Sequence, residues 1–150
     1  MERTFVAFKP DAIMRGLIGK ILTRFEDKGY KIIGLKMMNV SHDLAHEHYA
    51  EHAGKPFYDG LIGYITSGPI VAMVLQGENT VEGVRHIMGA TRPNDASVGT
   101  IRADFGQTME FNLIHGSDSV ESANREINLF FDESELCNNW KTALESIMGV

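Results

Sequence analysis

The chain alternates between short apolar runs and segments whose apolar residues recur every three or four positions. The runs are "TFVAF" (Thr4–Phe8), "YKIIGLKMMNV" (Tyr30–Val40), "PIVAMVLQG" (Pro69–Gly77) and "EFNLIHG" (Glu110–Gly116). Each reads as a strand, and the third is apolar enough to be central in a sheet. Pro10 ends the first, because proline cannot donate to a ladder. Helical spacing relates Leu17, Ile18, Ile21, Leu22 and Phe25, with Gly29 as C-terminal cap. Ser41 to about His52 reads as a polar helix, and a short helix follows Pro56 from about Asp59 to Thr66. Asn79 is placed to cap a helix carrying Val81, Val84, Ile87 and Met88 on one face. Asp118, with Glu121 three residues later, signals another helix through Ala123, Ile127 and Phe130. Residues 89–105 remain as a long connection, of a length that is usually functional or disordered. The order βαββαβ predicts an α/β (α+β) sandwich: a ferredoxin-like antiparallel four-stranded sheet covered by helices, with additional helices and the 89–105 loop.

No repeat or linker interrupts this order, so the 150 residues read as one domain with a C-terminal tail from about residue 136. The longest aliphatic stretch, Ile70–Leu75, is too short to span a bilayer, and "MERTFVAFKPD" lacks the pattern of a signal peptide. A single cysteine, Cys137, excludes an intrachain disulfide and suits a reducing compartment. The expectation is a cytoplasmic protein with no membrane partner. A net charge of −6 argues against general nucleic-acid binding, so the placement of the 14 Lys and Arg residues tells more than their sum.

The common phosphate loops are missing: "GLIGK" (Gly16–Lys20) has the wrong spacing for a P-loop, and no G-x-G-x-x-G or G-x-S-x-G occurs. "HYAEH" (His48–His52) fits the H-x-x-E-H zinc pattern, and His42 and His46 form a second pair four apart. On one helix the two pairs would point roughly 120° apart, and no third ligand is evident, so a solvated face is the simpler reading. Lys9 ends the first strand, Arg85 lies on the helix after the third, and Arg102 lies in the long connection. Each alone is an ordinary surface charge, yet the sheet order could gather them near His115 as a local anion site. A free imidazole is largely neutral at pH 7, so it needs orientation rather than a partner base to act as a nucleophile. Glu126, in the following helix, could orient the His115 ring, with Ser117 steadying the turn. Taken alone, His115 fits a half-buried structural histidine better. Tyr49, Phe57, Thr91 and Asn112 are each ambiguous.

Five stretches in register change that balance. "NLIHGSDS" (112–119) resembles the nucleoside diphosphate kinase signature N-x-x-H-G-[ST]-D. "ERTFVAFKPDAIMRGLIGKI", "HYAEHAGKPFYDGLIGYITSGPIVAMVLQG", "MGATRP" and "GTIRADF" also resemble that family in order and spacing, from about Glu2 to the early 130s. The resemblance implies ping-pong transfer of a γ-phosphoryl from a nucleoside triphosphate to a nucleoside diphosphate, with broad base specificity. His115 matches the nucleophile, Glu126 the residue that orients it, and Ser117 its neighbour. Lys9, Tyr49, Arg85, Thr91, Arg102 and Asn112 match phosphate and ribose contacts. Phe57 and Leu61 match the edge on which the base stacks, opposite Met109, where the family more often has valine. The Mg²⁺ cofactor is carried mainly by the nucleotide phosphates rather than by protein ligands.

Nucleoside di- and triphosphates are thus the implied partners, together with further copies of the chain in a homo-oligomer, a hexamer in preference to a tetramer. Gly116 is expected to leave room for a phosphate. The sequence departs from the family pattern at Ala12 and Ala103, where glycine is usual, and at Lys55, Arg92, Glu110 and Phe111. None of these removes a catalytic position.

Overall fold

The computed structural model describes residues 1–150. Strands β1 (Glu2–Phe8), β2 (Lys31–Met38), β3 (Ile70–Gly77) and β4 (Ile114–Gly116) form one antiparallel sheet in the order β2-β3-β1-β4. That is the order of a ferredoxin-like sheet. β1 and β3 lie in the middle and are apolar at successive positions because both their faces are covered. Alternate side chains divide between two cores. Phe5, Ala7, Ile70, Ala72 and Val74 enter one, closed by α3 (His42–His48), α4 (Tyr58–Ile65) and α7 (Val120–Phe130). Val6, Phe8, Val71, Met73 and Leu75 enter the other, closed by α1 (Pro10–Met14), α2 (Ile18–Lys28), α5 (Thr80–Met88) and α6 (Ile101–Phe105).

Several boundaries differ from expectation, each for a local reason. β4 is confined to three residues because Leu113 adopts a left-handed φ of 75° and Ile114 N donates back to Asn112 O at 2.9 Å. This tight γ-type turn leaves Glu110 and Phe111 outside the ladder. The N-cap of α7 is Ser119, not Asp118: Ser119 Oγ accepts from Ser122 N at 3.1 Å, and Asp118 stays exposed. Asn79 occupies the N-cap of α5 without a side-chain bond, and Glu2 Oε2 accepts from Val81 N instead at 2.8 Å. Pro10 ends β1 and also opens α1, where its fixed φ suits the first turn. The polar helix stops at His48, and Ala50–His52 form a separate 3₁₀ turn. The 89–105 connection contains a 3₁₀ turn at Pro93–Asp95 and then α6.

The C-terminal segment lies along part of β2. Cys137 N donates to Ile33 O at 2.6 Å, and buried Lys31 pairs with Glu145 at 3.3 Å, beside the last helix, α8 (Ala143–Met148). Farther along this edge strand Leu35 and Met37 are exposed. No helix is long and apolar enough to cross a membrane.

Candidate active site

β4 pairs His115 with Ala7 of β1, which puts the imidazole on the face that α7 covers. α7 then brings Glu126 against it. His115 Nε2 lies 3.0 Å from both Glu126 oxygens, and Ser117 Oγ donates to Oε1 at 2.5 Å. Ser117 is fixed in turn by its backbone N–H, which donates to Phe5 O at 3.1 Å. Burial by itself would raise the Glu126 pKa, but hydrogen bonds from His115 and Ser117 and the nearby imidazoles hold it down to about 2. An ionised carboxylate only accepts, so in the neutral ring Nε2 carries the proton and Nδ1 keeps the lone pair. The ring lines a polar cleft with Nδ1 free of protein hydrogen bonds.

The cations reach the same cleft from separate elements. Lys9, just past β1, donates Nζ to Asn112 Oδ1 at 2.8 Å, and Asn112 Nδ2 donates to Thr91 O at 3.1 Å. Arg102, on α6, is buried and donates to three carbonyls: Asn112 at 3.3 Å, Gly89 at 3.1 Å and Ile114 at 2.6 Å. Arg85, on α5, donates to Gly116 O at 2.9 Å. Burial, then the charge of Arg102, lowers the Lys9 pKa to about 8, while burial and Arg85 lower Arg102 to about 10. Three cations converging on one cleft, with Arg102 lowering Lys9 and Arg85 lowering Arg102, form a site built for an anion. Burial and then Glu126 push the Tyr49 phenol up to about 12, so its hydroxyl remains a neutral donor on the cleft wall.

The sequence model of nucleoside diphosphate kinases matches residues 2–136. The chain belongs to the nucleoside diphosphate kinase family. A nucleoside diphosphate kinase of Desulforamulus reducens is 59% identical over 136 residues, covering 91% of each chain. That of Thermus thermophilus is also 59% identical over 136 residues, covering 91% of this chain and 99% of its own. A solved halophilic nucleoside diphosphate kinase from Halobacterium salinarum, in complex with CDP, superposes with a TM-score of 0.94 at 53% identity, covering 97% of each chain.

Of the residues that the kinase resemblance singled out, the fold gathers Lys9, Tyr49, Arg85, Thr91, Arg102, Asn112, His115 and Glu126 around one cleft, with Ser117 behind Glu126. Phe57, Leu61 and Met109 do not line it. Phe57 and Met109 are exposed, Leu61 packs half-buried on the core, and the Phe57 ring sits 5.5 Å from that of His52 at the cleft edge. Gly116 serves a different purpose from the one expected. A Cβ there would meet Met88 Sδ at 2.4 Å, so the glycine lets α5 pack closely rather than making room for a phosphate. Ala12, where this kinase family usually has glycine, buries its methyl group completely in the second core.

His48 is the functional-site residue that the sequence reading missed. Far from lying on a solvated face, it is 4% exposed, and its ring meets that of His115 edge-on at 4.8 Å. Burial, then the charge of His115, pushes its pKa down to about 3, so it is neutral. The signal was its spacing with Leu44 and Ala45, which puts it on the apolar stripe, whereas His42 and His46 are exposed. The H-x-x-E-H pattern fails as a helical pair because α3 ends between its two histidines.

Proposed function

We propose that the chain carries a phosphoryl group on Nδ1 of His115, taken from a nucleoside triphosphate and passed to a nucleoside diphosphate in a ping-pong cycle. In the first half-reaction the Nδ1 lone pair forms an N–P bond as the bond from the γ-phosphorus to the β,γ-bridging oxygen breaks. The leaving nucleoside diphosphate keeps that electron pair. A second nucleoside diphosphate then reverses the step through its own terminal oxygen. The observation that carries this reading is the His115 ring, pinned through Nε2 by an ionised carboxylate and left with a free Nδ1 in a cationic cleft.

Lys9, Arg85 and Arg102 stabilise charge on the transferring phosphoryl, which is most of what this chemistry requires. Tyr49, Thr91 and Asn112 supply neutral donors and acceptors for phosphate and ribose. Phe57 and Leu61, with Met109 opposite, form the platform for the base, and stacking without base-edge hydrogen bonds gives broad specificity. Mg²⁺ fits as an ion that keeps its water and phosphate ligands and takes at most a carboxylate or two from protein. Exposed Asp118 on the cleft wall is the carboxylate free for that contact, and the ion supplies charge neutralisation on the phosphates. The chain acts in the cytoplasm as a homo-oligomer, a hexamer in preference to a tetramer. Exposed Leu35 and Met37 on the edge strand β2 support self-association.

Incubation with γ-labelled ATP and Mg²⁺ is expected to leave on the protein a label that survives base and is lost in acid. Unlabelled GDP is then expected to carry it off as GTP. A wild-type chain that takes up no label overturns the reading. The lowered pKa of Lys9 gives a second expectation. As pH rises through about 8, Lys9 in the free protein loses its proton and the cleft loses a cation, so kcat/KM for the nucleotide falls. Initial rates between pH 6.5 and 9.5 check this, and Lys9→Arg is expected to move the fall to higher pH. A profile flat to pH 9.5 excludes it.

A further inference from the structure

His48 Nδ1 is buried without a hydrogen-bond partner, 3.6 Å from Glu126 Oε2. A buried nitrogen left unpaired is costly, and such groups are uncommon in folded proteins. One ligand atom each from His48, His115 and Glu126 lies within 4.8 Å of the others. We propose that these three side chains form a Zn²⁺ site that silences the nucleophile.

Two histidines and a glutamate with a fourth position open to solvent are a recurring zinc ligand set. Tetrahedral zinc with bonds of ~2.0–2.1 Å places neighbouring ligand atoms roughly 3.3 Å apart. The distances from Glu126 to His115, 3.0 Å, and to His48, 3.6 Å, bracket that value, so only the edge between the two imidazoles has to close. All three residues line the cleft, which gives the ion a path in and leaves its fourth position to water. Lys9, Arg85 and Arg102 oppose any cation there. The site therefore favours an ion that binds imidazole nitrogen strongly over Mg²⁺, which prefers oxygen.

The consequence for catalysis rests on the phosphohistidine reading. When Nε2 of neutral His115 gives its lone pair to zinc, the ring's one proton moves through solvent from Nε2 to Nδ1. No proton is lost, and the charge of the site rises by that of the ion. Nδ1 then carries N–H and has no lone pair to offer phosphorus. Zinc and γ-phosphoryl transfer thus compete for alternative tautomers of one ring.

Co²⁺ titrated into the metal-stripped full-length chain is expected to bind in one equivalent, with the intense visible absorption of a tetrahedral site, and to be displaced by Zn²⁺. His48→Gln is expected to weaken Zn²⁺ binding by at least about 100-fold, the upper end of what losing a mere supporting partner of a ligand costs. His86→Gln, which breaks only the exposed pair with Glu82, is expected to leave it unchanged. Imidazole nitrogen NMR of the wild-type chain reads the same site without a substitution, so a misfolded His48→Gln would not hide the answer. Zn²⁺ is expected to shift His48 Nδ1 and His115 Nε2 and to leave His86 in place. Absence of stoichiometric binding, undiminished binding by a folded His48→Gln, or shifts confined to other histidines overturns the site. Zinc-loaded chain is expected to take up no label from γ-labelled ATP; uptake equal to that of stripped chain overturns the silencing. A stripped chain that takes no label but binds zinc through His48 supports the site and overturns the phosphohistidine reading instead.

Discussion

His115→Ala is expected to fold and to lose phosphoryl exchange by a factor on the order of 10⁴–10⁶, the scale on which covalent catalysis fails when its nucleophile is removed. No neighbouring group can take over. His48 is the nearest imidazole, but it is buried, and its Nδ1 faces the Glu126 carboxylate rather than an open position. Glu126, although it loses its bond from Nε2, keeps the one from Ser117 Oγ. The ring itself is only half-buried, so its loss removes little core packing. Lys9, Arg85 and Arg102 remain in place because they are held by Asn112 and by backbone carbonyls, none of which involves His115. The variant is therefore expected to bind nucleotide and to do nothing with it. Exchange rates, label uptake and nucleotide affinity, measured on one preparation, check all three parts. A rate within tenfold of wild type would place the nucleophile elsewhere.

The sheet was legible because its signal is unusually plain. β1 and β3 carry apolar side chains at successive positions, since each face meets its own core, and their shortness together with Pro10 after β1 and Pro69 and Gly77 around β3 separates them from a buried helix. Boundaries set by tertiary contacts were not legible. The turn at Leu113 cuts β4 short, although Leu113 looks like any strand residue; it is buried in the second core, which supports its left-handed backbone. Glu2 caps α5 from 79 residues away, so no local rule could have replaced Asn79 with it.

The site was legible in a different way. Lys9 and Asn112 touch although they are 103 residues apart, and only the pairing of β1 with β4 puts them together. Reading residues singly left Lys9 a surface charge and His115 a structural ring; the family resemblance supplied what spacing could not. His48 escaped because a run of histidines in a charged segment suggested one common environment. The helix face divides them, leaving His42 and His46 to solvent and His48 beside the nucleophile.

Glu126→Gln is expected to lower kcat by a factor on the order of 10²–10⁴ while nucleotide KM changes little, as when a ring is left with the wrong tautomer in otherwise intact geometry. The carboxylate accepts from His115 Nε2 and Ser117 Oγ together, so its two oxygens meet two donors. An amide offers one oxygen and one NH₂. With the oxygen on Ser117, the NH₂ faces Nε2 and requires a lone pair there, which moves the ring proton to Nδ1 and removes the nucleophile. With the oxygen on His115, the Ser117 hydroxyl loses its acceptor and must turn towards Phe5 O, 3.4 Å away. The same charge fixes a pH dependence of stability. Because the folded-state pKa of Glu126 lies near 2, below its ordinary 4.5, its contribution is complete above about pH 4.5 and is lost as pH falls through 2. That contribution is on the order of 3 kcal/mol for the wild type and absent from the amide. Urea unfolding at pH 6 and at pH 3 is therefore expected to show the larger acid loss in the wild type. If Glu126→Gln keeps full kcat, or loses stability in acid as steeply as the wild type, Glu126 does not hold the His115 ring through its charge.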